Sequence, residues 1–64
     1  MDRLTPTEQE VLKHLVKGLT NVEIGKIMSI SKHTAKAHVC SIIKKYECTD
    51  RTNVAYFVGK YNIL

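Results

Sequence analysis

Residues 19–38 have the sequence LTNVEIGKIMSISKHTAKAH, and this stretch decides the fold. It contains the starts of two helices. Thr20 is followed three residues later by Glu23, which is the pattern of a capping box, and Ser31 can cap a second helix. The first of these helices is short and stops near Ser29, so only about three residues join it to the next. Two helices joined by so short a turn predict a helix-turn-helix motif over about residues 19–38.

The apolar residues of this motif indicate which sides of its helices are buried. In its first helix we expect Ile24, Ile27 and Met28 to face the core. Ile30 lies in the connection, where an apolar side chain can fill the gap between two steeply crossing helices. The second helix has an inward stripe at helical spacing, whose members are Ala35, Val39, Ile42, Ile43 and Tyr46.

A second stripe follows the same helix on another side. Its members are His33, Lys36, Ala37, Cys40 and Lys44. It contains no acidic residue and no large aliphatic one. Such a surface suits entry into the major groove of DNA, because small and polar side chains leave the approach to the bases open. Residues 32–46 are therefore predicted to form a recognition helix.

Helices are also predicted on both sides of the motif. Thr5-Pro6-Thr7-Glu8 combines a capping Thr, a Pro at the first helical position and a Glu three residues after the cap. Further along, Thr49 or Asp50 can cap a last helix, and Asn62 can end it in a left-handed conformation. The prediction is an all-α, four-helix helix-turn-helix domain over residues 1–64, with helices near residues 6–17, 21–28, 32–46 and 50–60.

Length and composition limit the class of function. Sixty-four residues have room for one small core, which disfavours a deep catalytic cleft. The cysteines Cys40 and Cys48 and the three histidines lack the tight spacing of a zinc site, so we expect free thiols, no metal and no cofactor. The sequence shows no nucleophile–base pairing, paired carboxylates or phosphate loop, which argues against an enzyme. No apolar run could span a membrane and no signal peptide is visible, so we expect a cytoplasmic protein.

The positive charge is concentrated in the middle of the chain. Residues 24–46 contain five lysines and no acidic residue, whereas residues 1–23 carry three basic against four acidic residues and residues 47–64 are balanced. This distribution is typical of a domain that binds a polyanion. Charge alone leaves open a basic face that only aids solubility, and, less favoured, a membrane surface.

The second stripe supplies the candidates for contact with bases. Lys36 can donate to guanine, and His33 can donate or accept. Ala37 and Cys40 are small enough for close approach to a base. The neighbouring His38 falls between the two stripes and is expected to pack within the domain.

A second set of residues is expected to contact the DNA backbone. The candidates are Thr20, Asn21, Lys32, Lys44 and Lys45. Thr20 and Asn21 belong to this set because a helix N-terminus has free backbone N–H groups and the positive end of the helix dipole. For Thr20 the role of helix cap remains the first explanation, as it does for Ser31.

Three segments of the chain resemble the LuxR/GerE-type domain of bacterial transcription regulators. They are LTPTEQEVL at residues 4–12, GLTNVEIG at 18–25 and ISKHTAKAH at 30–38, of which the last is the most specific. The resemblance spans essentially the whole chain. It implies a four-helix DNA-binding domain that often forms the C-terminal part of a response regulator or quorum sensor.

The resemblance also implies roles for individual residues. Lys36, Ala37 and Cys40 occupy positions that face bases in such domains, and Thr34 joins the backbone candidates as part of the family's Thr-x-Lys signature. The last helix often pairs such domains into dimers, here with Val54, Phe57 and Val58. The chain departs from the family at Tyr46-Glu47-Cys48, where a Leu-Gly-Val run is usual.

These patterns predict a sequence-specific, double-stranded DNA-binding transcription regulator that dimerises through residues 50–60. RNA polymerase is a further candidate partner. The alternative is a helix-turn-helix protein-interaction module without specific DNA binding. The acid-free segment of residues 24–46 argues against this alternative, because an interaction surface more often exposes aromatic or aliphatic anchors.

Overall fold

The computed structural model describes residues 3–61, and this part of the chain forms four α-helices. They are α1 (Pro6–Val16), α2 (Asn21–Met28), α3 (Lys32–Lys45) and α4 (Arg51–Tyr61). The all-α, four-helix prediction is confirmed, and each helix end lies within one residue of its predicted position. Asn62, the predicted stop of the last helix, lies outside the described residues.

At the start of each helix a capping side chain accepts a hydrogen bond from one of the first backbone N–H groups. The Oγ1 atom of Thr5 accepts a hydrogen bond from the N–H of Glu8, and Oε1 of Glu8 accepts one from the N–H of Thr5 at 2.8 Å. At the start of α4, Oδ1 of Asp50 accepts from the N–H of Asn53 at 2.9 Å. The capping residues are Thr5, Thr20, Ser31 and Asp50. Each cap lies within three residues of its partner, which explains why the helix starts could be predicted locally.

The core is organised around α3, which packs against each of the other three helices. Its buried apolar residues are Val11, Leu12, Leu15, Ile24, Ala35, Val39, Ile42, Val54 and Val58. The predicted inward stripe of α3 is confirmed, with Ile43 and Tyr46 half-buried at its edge. Because its inward side is used by the core, the side of α3 that carries the second stripe is left free.

The structure corrects the predicted buried face of α2. Ile24 is fully buried and Met28 is half-buried, but Ile27 is 56% exposed. Successive helical residues are about 100° apart, so Ile27 lies roughly 60° from Ile24 on the side away from Gly25. Since Ile24 and Gly25 are both buried, the core direction lies between them and Ile27 turns towards solvent.

The turn between α2 and α3 depends on Gly25. A Cβ atom at Gly25 would lie 2.7 Å from the carbonyl oxygen of Ile30, closer than such atoms can approach. Ser29 has a φ of 57°, and the N–H of Ile30 donates to the carbonyl oxygen of Gly25 at 2.9 Å. Ile30 packs against the core, which confirms its predicted place between the helices. The absence of a side chain at Gly25 therefore allows the chain to fold back tightly over α2.

The end of α3 is closed by a left-handed residue that is not glycine. Glu47 has a φ of 55°. The N–H groups of Glu47 and Cys48 donate to the carbonyl oxygens of Lys44 and Ile43, both at 3.0 Å. This is a Schellman motif, in which glycine is favoured because other residues cost about 1–2 kcal/mol in the left-handed region. The turn into α4 thus forms despite the departure from the family pattern.

Candidate nucleic-acid interface

The second stripe of α3 lies on the surface of the domain. All five of its members are exposed: His33, Lys36, Ala37, Cys40 and Lys44. From His33 to Lys44 the stripe extends for about 16 Å along the helix axis. The structure therefore brings the four predicted base-contacting residues together on one exposed face. His38 beside them is half-buried.

The N-terminal end of α3 continues this surface. Lys32 and His33 are exposed in its first turn, which contains no acidic residue. The Oγ atom of Ser31 accepts from the N–H of Thr34 at 3.0 Å, and the two hydroxyl groups are also 3.0 Å apart. The positive end of the helix dipole and the charge of Lys32 therefore favour an anion here.

The N-terminal end of α2 offers backbone donors. The capping box is complete, since Thr20 N–H donates to Oε1 of Glu23 at 2.8 Å and Oγ1 of Thr20 accepts from the N–H of Glu23. The bond from the Thr20 N–H to the Glu23 carboxylate, with a further contribution from the Thr20 side chain, lowers the pKa of Glu23. The N–H groups of Asn21 and Val22 have no hydrogen-bond partner within the described part of the chain. Two donors of α2 are therefore available to a ligand.

Asn21 is bound to α4 by Arg51, a contact that the sequence did not reveal. Nη1 of Arg51 donates to Oδ1 of Asn21 at 2.7 Å, and Nη2 donates to the carbonyl oxygen of Leu19 at 2.6 Å. Both Asn21 and Arg51 are half-buried. An arginine at the first position of α4 was visible in the sequence, but nothing there indicated a partner 30 residues away.

The structure corrects the assignment of Lys45 to the DNA backbone. Its Nζ atom lies 2.5 Å from Oε1 of Glu8 and 3.2 Å from the carbonyl oxygen of Arg3. Lys45 is half-buried, so its ammonium group is held against α1. Of the two lysines at the end of α3, only Lys44 extends from the exposed stripe.

The carboxylate that holds Lys45 is itself buried. Glu8 is 4% exposed, and Ser41 donates to its second oxygen, Oε2, at 2.5 Å. Burial alone would raise the pKa of Glu8. Hydrogen bonds from Lys45, Ser41 and the Thr5 N–H, with the charge of Lys45, outweigh burial and lower the pKa to about 2. Glu8 is therefore a charged structural link between α1 and α3.

Two of the three residues predicted for a dimer interface belong to the core instead. Val54 is 0% and Val58 4% exposed, so neither can form part of the domain surface. Phe57 is half-buried beside Tyr61, with ring centroids 4.8 Å apart. The exposed apolar groups of α4 are Tyr56 and Tyr61, at 66% and 59%. Burial in the monomer therefore corrects the assignment of Val54 and Val58.

Other kinds of site are not formed by the described residues. Cys40 is an exposed free thiol and Cys48 a half-buried one. Between residues 3 and 61, no three side chains of the metal-binding types come together. In the same range, no helix has the length and apolar character needed to cross a membrane.

Comparison with known proteins identifies the family. The family model described as bacterial regulatory proteins, luxR family, matches residues 2–58. The chain belongs to the luxR family. The resemblance seen in the sequence is thereby confirmed, and this luxR-family chain is a helix-turn-helix domain of DNA-binding transcription regulators.

Relatives of this luxR-family domain are named as regulators. It is 41% identical over 61 residues to the uncharacterized transcriptional regulatory protein YhcZ of Bacillus subtilis (strain 168), covering 95% of the chain and 28% of that protein. It is 35% identical over 63 residues to the response regulator protein VraR of Staphylococcus aureus (strain Mu3 / ATCC 700698), covering 98% of the chain and 30% of that protein. The luxR-family domain thus spans less than a third of the length of these relatives.

Proposed function

We propose that this domain binds double-stranded DNA in a sequence-specific manner, with α3 in the major groove. The observation that carries the proposal is the exposed, acid-free stripe of α3. Its two small side chains, Ala37 and Cys40, lie between Lys36 and Lys44, so the helix can approach the bases closely while its lysines supply donors and charge. His33, Lys36, Ala37 and Cys40 are the proposed base-contacting residues.

Phosphate contacts are proposed on both helices of the motif. On α3 they come from Lys32, Thr34 and Lys44, and on α2 from Thr20 and Asn21. The unpartnered N–H groups at the start of α2 and the absence of acidic residues in the first turn of α3 support this assignment. In helix-turn-helix docking the first helix crosses the DNA backbone, which fits this division of roles.

We extend the proposal to a dimer on a two-part site. Because Val54 and Val58 are buried, the pairing surface of α4 would be formed by its exposed side, with Tyr56 at its centre and half-buried Phe57 at its edge. By similarity to VraR, we propose that the domain is the effector part of a cytoplasmic response regulator, with RNA polymerase as a further partner.

Selection of bound duplexes from a random pool tests the function directly. We expect enrichment of one short half-site, repeated at a fixed spacing, and retention of random duplex at low salt that falls steeply as salt rises. A pool without enrichment, together with no retention at low salt, would contradict DNA binding and favour the protein-interaction alternative. Enrichment of single, unpaired half-sites would support DNA binding and contradict the dimer.

A further inference from the structure

Arg51 holds the side chain of Asn21 in one orientation. A guanidinium group can donate hydrogen bonds but cannot accept them, so the amide atom of Asn21 that faces Arg51 must be the oxygen. This agrees with the 2.7 Å contact between Nη1 and Oδ1. The Nδ2 atom, with its two N–H donors, therefore points away from Arg51. It has no hydrogen-bond partner among residues 3–61.

The second half of the guanidinium group fixes the backbone beside Asn21. Nη2 donates to the carbonyl oxygen of Leu19, in the segment that leads into α2. Leu19, Asn21 and Arg51 line one surface groove between the end of α1 and the starts of α2 and α4. One planar group thus sets both the path of the chain into α2 and the direction of the amide at its first residue.

We propose that Arg51 is a positioning residue for DNA binding, which turns the amide donors of Asn21 towards a DNA phosphate at the start of α2. This inference rests on the proposed function. The opposite amide orientation would present a carbonyl oxygen, which cannot donate a hydrogen bond to a phosphate. Lysine at position 51 would keep the charge but lacks the rigid fork that bonds Leu19 and Asn21 together.

A phosphate-by-phosphate scan tests the proposal on the selected duplex. Each phosphate near the motif is replaced singly by an uncharged methylphosphonate, and affinity is measured for the unaltered domain and for N21A and R51K. We expect one phosphate whose replacement weakens the unaltered domain by roughly tenfold or more. In N21A and R51K this loss should become severalfold smaller, because the amide donors of Asn21 no longer add to the backbone N–H groups of α2, while losses at phosphates bound by Lys44 remain.

A double-mutant cycle separates positioning from general stabilisation. If Arg51 acts through Asn21, R51K should weaken binding in the unaltered background but have little further effect in N21A. Equal effects of R51K in both backgrounds, or an unchanged phosphate profile in R51K, would overturn the inference while leaving the proposed function intact. Absence of duplex binding by the unaltered domain would overturn both.

The variant N21D keeps the experiment decisive if R51K proves too unstable to measure. Aspartate can still accept from Arg51, but it presents an oxygen where Asn21 presents Nδ2. We expect N21D to bind at least as weakly as N21A, and the methylphosphonate at the identified position to improve its binding by removing charge repulsion. A methylphosphonate that weakens N21D as much as the unaltered domain would refute the proposed contact.

Discussion

The Nζ atom of Lys45, at the end of α3, lies 2.5 Å from Oε1 of Glu8 in the first turn of α1. The same oxygen accepts the N–H of Thr5, and Oε2 accepts the hydroxyl of Ser41. A carboxylate that caps its own helix therefore also binds two residues of α3. This link holds α3 against α1, and the second stripe of α3 remains exposed.

Stability at low pH should depend on Glu8. Its pKa of about 2 in the folded domain is below the ordinary 4.5, so its contribution is complete above pH 4.5 and is lost as the pH falls towards 2. We expect E8Q to lower the free energy of unfolding at pH 7 by about 1–3 kcal/mol, with a difference that narrows between pH 4.5 and 2. Urea unfolding at pH values between 7 and 2 measures this difference in free energy. The half-exposed Glu10 provides the control E10Q. A difference in unfolding free energy between E8Q and the unaltered domain that stays constant with pH would contradict the lowered pKa of Glu8.

Two glycines should respond in opposite ways to alanine. In G25A the new Cβ would meet the backbone oxygen of Ile30, so the turn must shift, and we expect a loss of about 1–3 kcal/mol in the free energy of unfolding. Gly59 lies within α4 with open space at its Cβ position, so G59A should gain about 0.5–1 kcal/mol. Thermal unfolding of both variants gives the comparison. Equal stability of G25A and the unaltered domain would show that the close approach is not real.

Two lysines of the second stripe should affect DNA binding differently. We expect K36A to weaken binding to the selected site by about 1–3 kcal/mol and to relax one base position. K44A should weaken binding to all DNA sequences alike and reduce the slope of log affinity against log salt concentration by about one. Fluorescence anisotropy at several salt concentrations separates these effects. K13A, on the exposed side of α1, is the matched control. A K36A variant with unchanged affinity and specificity would refute the assignment of α3 as the helix that contacts bases.

The two thiols should report the DNA-facing side of α3. Cys40 is exposed, whereas Cys48 is half-buried with its Sγ atom 3.6 Å from the carbonyl oxygen of Tyr46. We expect iodoacetamide to alkylate Cys40 first, and the selected duplex to slow this reaction without changing that of Cys48. Mass spectrometry of both peptides, with and without DNA, measures the rates. Equal protection of both thiols would argue against a binding face on the second stripe.

Pairing through α4 should depend on its exposed tyrosine. We expect Y56A to lower affinity for the two-part site by roughly tenfold through loss of cooperativity, while binding to a single half-site is unchanged. Fluorescence anisotropy titrations with the two-part duplex and with the single half-site duplex measure both affinities. V58A is the comparison for a buried residue of the same helix, since it should reduce thermal stability. If Y56A left the cooperativity intact, another surface would have to mediate pairing.

The positions of the helices and the exposed face of α3 could be predicted because they depend on neighbours in the chain. Thr5, Thr20, Ser31 and Asp50 cap their helices with partners three residues away, and these bonds use no group from elsewhere in the chain. The two stripes of α3 follow from helical periodicity in the same way. The family resemblance added the expected partner, DNA, which no single residue identifies.

The contacts and burial that only the tertiary structure decided depend on residues that are distant in sequence. Lys45 and Arg51 look like free surface cations in the sequence, yet each binds a group 30 or more residues away. Ile27 and Val54 are both apolar residues within helices, but the sequence did not reveal which of them the core would cover. The direction in which each helix meets its neighbours determines these outcomes. The sequence by itself therefore determined where the helices lie and which side of α3 is free, and tertiary packing decided which of the remaining side chains stay available to a partner.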